Sequence, residues 1–258
     1  MTQPPGSREV EIRHCATLAE YDECVRLQHL VWGGDIAVPS AIFVVAHHTG
    51  GQVLGAFSDA TVVGFTLALA AMRARKPYLH SHMTAVLPEF SDGGVGRRLK
   101  LFQRQDALKR GVDLIEWTFD PLALKNAHFN LVRLGAVARR FIPDCYGITK
   151  SPLHGGLPTD RLVAEWWLSS ERVKSILADN ALPGKDTVER LSLPVNLAEI
   201  KAIGATAAVQ TKARHEFQKL FAQGCVATSV ESGTSTVDYI LEPAAGIAGL
   251  NLAEFAEE

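Results

Sequence analysis

Ser91-Asp92-Gly93-Gly94-Val95-Gly96 joins a β-rich run to a helical one, and its composition is that of an anion site. Unpaired amides converge at a helix start, and the helix dipole favours negative charge there. Glycine lets the backbone approach a phosphate closely, while Arg97, Arg98 and Lys100 add positive charge nearby. Two phosphate motifs are excluded. A Walker loop needs Gly-Lys-Ser/Thr, which is absent, and a dinucleotide fingerprint needs a third glycine where Leu99 stands. On flanking strands, alternation places His80, His82 and Thr84 on one face. It places Glu116, Thr118 and Asp120 together opposite Ile115, Trp117 and Phe119. His80-x-His82 has the side chains to share a metal ion, but no third ligand stands at recognisable spacing, so no metal is expected.

The elements around these residues follow from punctuation and period. Residues 1–7 read as a frayed tail, and Val10 to His14 alternates like a strand. Thr17-Leu-Ala-Glu20 has capping-box spacing before a helix that Gly33-Gly34 stops. Pro39 opens a second helix through about His48. Gln52 to Phe57 and Thr61 to Arg73 form a hairpin around Ser58-Asp59-Ala60, and Tyr78 to Leu87 is a third β-run ending at Pro88. The glycine turn then leads directly into a helix from Val95 to Arg110, with Leu99 and Phe102 inward. Val112 to Phe119 is a strand, and Asn126 to Leu134 a short helix.

From about residue 150 the pattern restarts. Arg161 to Leu168 reads as a strand whose Trp166 and Trp167 point to opposite faces, one into a core and one to an interface or pocket wall. Ser170 to Asn180 is a helix and Thr187 to Leu193 a strand. Asn196-Leu-Ala-Glu199 caps a long helix closed by Gly224, and Cys225 to Val230 and Thr236 to Leu241 form a hairpin. Ser151 to Pro158 is the natural linker, which gives domains of 8–150 and 151–258.

Thr84-Ala-Val-Leu-Pro-Glu-Phe-Ser-Asp-Gly-Gly-Val-Gly-Arg-Arg-Leu-Lys100 resembles the strand, turn and helix of the GNAT N-acetyltransferase superfamily. The element order over about 8–147 resembles it too. Trp117-Thr-Phe-Asp-Pro-Leu122, Asn126-Ala-His-Phe-Asn130 and Leu157-Pro-Thr-Asp-Arg-Leu162 resemble one branch of predicted acetyltransferases, extending the likeness to about 168. Ser91 stands where the family turn has Gln or Arg, and Arg133 where its late helix has Tyr.

The resemblance implies an α/β (α+β) fold with a mixed, largely antiparallel sheet flanked by helices. A C-terminal β-α-β-α-β-β extension would follow, read also as a second GNAT-like half. It implies acetyl-CoA or another acyl-CoA as cofactor, held by Thr84, Val86, Ser91, Gly93, Gly94, Val95, Gly96, Arg97, Arg98 and Asn126. Acyl transfer to a small amine or amino-acid-like acceptor would need a base, for which Glu116 or His82 serves. A backbone amide near Val86 would face the oxyanion, and Tyr146 would protonate the thiolate in place of the missing helix tyrosine. A non-catalytic acyl-CoA-binding or sensing module remains the alternative, as does a homodimer.

The totals fit that reading. The 258 residues are 47% hydrophobic and 21% charged, an ordinary globular balance. A formal net charge of -2 gives no basic excess for nucleic acid. No run approaches the roughly 18 apolar residues of a membrane span. The N-terminus has no signal-peptide pattern, and four scattered cysteines without a CxxC pair suit reduced thiols, so a cytoplasmic protein is expected.

Overall fold

Gln52–Ser58 is buried along all seven residues, which a strand achieves only when both its faces are covered. A computed structural model, describing residues 9–33, 37–148, 156–179, 188–195, 206–247 and 249–250, shows what covers them. The described residues fall into two compact units, one within Met1–Ile115 and one within Glu116–Ala253. The expected N-terminal tail, the cap at 196–199 and most of the 151–158 linker lie outside the described residues.

In the first unit, β1 (Glu11–His14), β2 (Gln52–Ser58), β3 (Thr61–Arg73) and β4 (Lys76–Val86) pair antiparallel in chain order. Helices α1 (Leu18–Trp32) and α2 (Ser40–His48) bring Tyr21, Cys24, Leu27, Phe43 and Ala46 against Phe57, Phe65 and Leu67. The thiols of Cys15 and Cys24 meet in that core at 4.0 Å. Helix α4 (Val95–Lys109) sets Val95 and Leu99 against Leu54, Ala56 and Val63. The Thr17–Glu20 capping box forms as expected. One element was not anticipated: a short helix, α3 (Pro88–Ser91), stands between β4 and the glycine turn, because Pro88 at its first position suits a helix start.

The second unit carries β5 (Leu114–Phe119) from Glu116 onward, α5 (Leu124–His128), and a π-helical turn at Phe129–Arg133. Next come β6 (Val137–Ile142), β7 (Arg161–Trp167), α6 (Glu171–Leu177), β8 (Glu189–Pro194), α7 (Thr206–Ala222), β9 (Cys225–Ser232) and β10 (Thr236–Pro243). Spatial order is β5-β7-β6-β9-β10-β8. The β6–β7, β6–β9, β9–β10 and β10–β8 pairings are antiparallel. Strand β6 was missed in the sequence, and β7, expected to open the C-terminal segment, is hydrogen-bonded to it. Trp166 and Trp167 are both buried, at 0% and 2% exposure, so neither ring lines an open surface. All seven residues of β7 are buried, which means both faces of this strand are covered. The architecture is mixed α/β with a largely antiparallel sheet and flanking helices.

Candidate functional site

The anion turn is built from backbone. Gly94 caps α4 at φ 70° and ψ 13°, a left-handed conformation, and no side chain caps the helix. The amides of Val95, Gly96 and Arg97 are left without a backbone acceptor among the described residues; the first backbone bond is Arg98 N–H to Gly94 O at 3.0 Å. A Cβ on Gly94 would meet nothing within 4 Å, and one on Gly96 would meet only Val86 Cγ2 at 3.9 Å. The helix start therefore opens on free space. Side chains cap α1 and α6, where Thr17 accepts from Glu20 N–H and the Ser170 hydroxyl accepts from Val173 N–H at 3.3 Å; α2, α3 and α5 share with α4 the lack of a side-chain cap.

The side chains around the turn are less available than their sequence positions suggest. Ser91 Oγ donates to Leu87 O at 3.1 Å within α3. The Arg98 guanidinium donates to Val10 O. Arg97 is half-buried, with its Nε lacking a hydrogen-bond partner among the described residues. Lys100 does not join the turn's positive charge. It is buried, donates to Ser81 Oγ at 2.7 Å and Gln103 Oε1 at 3.1 Å, and burial lowers its pKa to about 7.

Strand β4 departs from simple alternation. Leu67 pairs with Met83 and Ala68 with Ser81, so His82 is the extra residue of a β-bulge. Thr84 meets Thr66 hydroxyl to hydroxyl at 3.1 Å. Beyond the bulge the face shared with Thr84 belongs to Ser81, and His80, opposite Leu69, is on the other face. The expected sharing of one face by His80 and Thr84 is thus corrected by one inserted residue. His82 has solvent-exposed surface, yet the surrounding protein removes enough water from its ring to hold its pKa below the ordinary histidine value. Its imidazole is neutral near pH 7. Among the described residues no group of three His, Cys, Asp or Glu is placed to hold a metal ion.

In the second unit, Glu116 is 3% exposed and accepts from Arg140 Nη2 at 2.5 Å. Thr118, two residues along the same strand face, meets the Tyr146 hydroxyl at 2.9 Å. Tyr146 is half-exposed and lies under Arg161, whose guanidinium carbon is 5.5 Å from the ring centre. Two expected acid–base residues, Glu116 and Tyr146, therefore meet one face of β5. Asn126 is exposed on α5, and Arg133 is exposed in the π-helical turn.

No family model and no curated protein matches the chain. Solved structures do. A GNAT-family acetyltransferase from Streptococcus pneumoniae matches at 17% identity and a TM-score of 0.48, over 61% of this chain and 98% of its own. Arabidopsis thaliana Naa50, in complex with the bisubstrate analogue CoA-Ac-MVNAL, matches at 12% identity and a TM-score of 0.49, over 60% and 97%. A proposed acetyltransferase from Acinetobacter baylyi ADP1 reaches a TM-score of 0.51 at 14% identity, over 69% of this chain and 97% of its own. The chain has a GNAT fold.

Within the GNAT fold, the sequence reading overlooked a charged group on β6 and β7. Glu165, at 0% exposure, accepts from Arg139 Nε and Arg140 Nε, each at 3.0 Å. The available signal was Glu165 inside the otherwise apolar run Leu162–Trp167, with two consecutive arginines in Val137–Ile142. A carboxylate in a buried run requires a cation, and that requirement carries no address in the sequence.

Proposed function

We propose that this protein is an acyl-CoA-dependent N-acyltransferase, with acetyl as the acyl group and a small amine as acceptor. The start of α4 carries the reading: a left-handed glycine and three amides without a backbone partner among the described residues suit a pyrophosphate. Val95 to Arg97 hold the phosphates through main chain, with Thr84 and Val86 of β4 along the pantetheine. Acyl-CoA supplies the activated thioester carbonyl.

His82 is the base this reading favours. Its neutral ring at pH 7 takes a proton from the acceptor ammonium or from the attacking amine. Glu116 is held by Arg140 and suits orientation of the acceptor better than proton removal. Tyr146, hydrogen-bonded to Thr118, is the candidate proton donor of the second unit.

Acetyl-CoA at 100 times its Kd stabilises a one-site protein by about 2.7 kcal/mol, so a thermal shift reads binding directly. Gly94→Glu and Gly96→Glu abolish that shift, because a carboxylate projects where the phosphates sit. Tight binding by either variant removes the turn from the site. Thiol release with a panel of amines tests turnover, and stabilisation without release assigns the chain to acyl-CoA binding or sensing.

A further inference from the structure

We infer that Arg139 and Arg140 form a receptor for a carboxylate on the acyl acceptor, so that the acceptor is an amino acid or a similar carboxylate-bearing amine. The identity of the ligand as acceptor rests on the acyltransferase reading; the anion site itself does not.

The strand geometry is unusual in a specific way. Val137 pairs with Glu165 and Ala138 with Ala164, but Arg140 pairs with Val163, so Arg139 is the extra residue of a bulge. In a regular strand consecutive side chains point to opposite faces. Here Arg139 lies two positions beyond Val137, and Arg140 lies opposite Val163. Both therefore project from the face that carries Glu165. That bulge is what allows one buried carboxylate to receive both guanidinium groups.

Glu165 binds them by one edge only. Each arginine gives its Nε to a different Glu165 oxygen at 3.0 Å. Arg140 gives Nη2 to Glu116, while its Nη1 and both terminal nitrogens of Arg139 have no hydrogen-bond partner among the described residues. The two side chains are 25% and 32% exposed, whereas Glu165 is 0% exposed. A partly exposed planar fork, fixed from behind by a buried carboxylate, is preorganised for two parallel N–H···O bonds to another carboxylate.

The neighbours of the pair narrow the ligand. Arg140 links Glu165 to Glu116, and Glu116 shares its strand face with Thr118 and the Tyr146 hydroxyl. An amino acid brings a carboxylate that the terminal nitrogens of Arg139 and Nη1 of Arg140 can receive. A simple alkylamine would leave the fork unfilled.

The test uses the full chain and a panel of α-amino acids, each beside its α-amide, read by thermal shift without cofactor and by thiol release with acetyl-CoA. The parent binds the acid form of its ligand about tenfold more tightly than the amide, and Arg139→Ala brings that ratio close to one. Arg139→Lys keeps a charge beside Glu165 but loses the fork, so it restores stability without restoring the ratio. Equal binding of acid and amide by the parent, binding of neither, or an unchanged ratio in Arg139→Ala overturns the inference. A fall in melting temperature with an unchanged ratio assigns Arg139 to structure alone. Coenzyme A and its 3′-dephospho form complete the series: if Arg139→Ala weakens only the former, the anion is the nucleotide phosphate and the acceptor inference falls. An acid preference without thiol release removes the transferase reading and keeps the site. Thiol release without an acid preference does the reverse.

Discussion

Lys100 in the first unit and Glu165 in the second are both nearly inaccessible to water, and the protein accommodates them by opposite means. Lys100 is given neutral hydrogen-bond partners, Ser81 and Gln103, and burial lowers its pKa to about 7, so it sheds its charge near neutrality. Glu165 is given two guanidinium groups that cannot lose theirs. The first arrangement is closed: its hydrogen bonds point inward between α4 and the sheet. The second is open at one side, because the cations that stabilise Glu165 reach the surface with nitrogens to spare. A buried anion met by partly exposed arginines can thus serve stability and recognition together. A buried lysine that becomes neutral instead lowers stability wherever the unfolded chain keeps its proton.

The largest expected effect breaks the second arrangement. Glu165→Ala leaves two guanidinium groups beside a space they cannot fill and should destabilise the fold by about 4 kcal/mol in urea titration. Glu165→Gln retains one acceptor oxygen and should cost roughly half of that. A cost under about 1 kcal/mol for the alanine variant would show that the arginines need no carboxylate behind them.

The next effect concerns the first arrangement and its pH dependence. The folded pKa of Lys100 lies below its unfolded value of 10.5, so between about 7 and 10.5 the unfolded chain holds a proton that the folded chain has released. Stability therefore rises with pH through this window, by up to about 1.4 kcal/mol per unit, and the contribution is smallest below pH 7. Lys100→Met removes this term. The difference in stability between parent and variant should change by roughly 2 kcal/mol from pH 7.5 to 9.5, the parent gaining. A constant difference would mean that Lys100 stays charged in the fold and that both units keep their buried charge.

These two arrangements also mark where sequence reasoning succeeded and where it could not reach. The hairpin strand Thr61–Arg73, the Thr17–Glu20 box and the start of α4 at Val95 were legible because local period and capping chemistry determine them. Strand β6 was not, because its bulge places two arginines in succession and destroys the alternation that signals a strand. The same fault misplaced His80, since one extra residue at His82 reverses the face of everything before it. Lys100 was read as part of the anion turn because it follows Arg97 and Arg98 by sequence. The helix instead turns it toward Ser81, which lies 19 positions away. In each case the missing information was a register or a distant partner.

The smallest effect sharpens the contrast at the rim of the first unit's polar cluster. Asp106 accepts from Gln52 Nε2 at 2.6 Å, from His14 Nε2 at 3.1 Å, and lies 3.5 Å from Arg110 Nε. The His14 side chain is 41% exposed and its ring also meets Phe102 edge-on, with centroids 5.8 Å apart. His14→Phe keeps the ring contact and deletes only the bond to Asp106. Because Gln52 and Arg110 still hold the carboxylate and water reaches the vacated side, the cost should be about 0.5 kcal/mol and should shrink with added salt. A cost near that of Glu165→Ala would make Asp106 a buried anion dependent on each of its partners. The first unit would then hold its charge by the same means as the second, and the distinction between a closed polar cluster and an open one would rest on Lys100 alone.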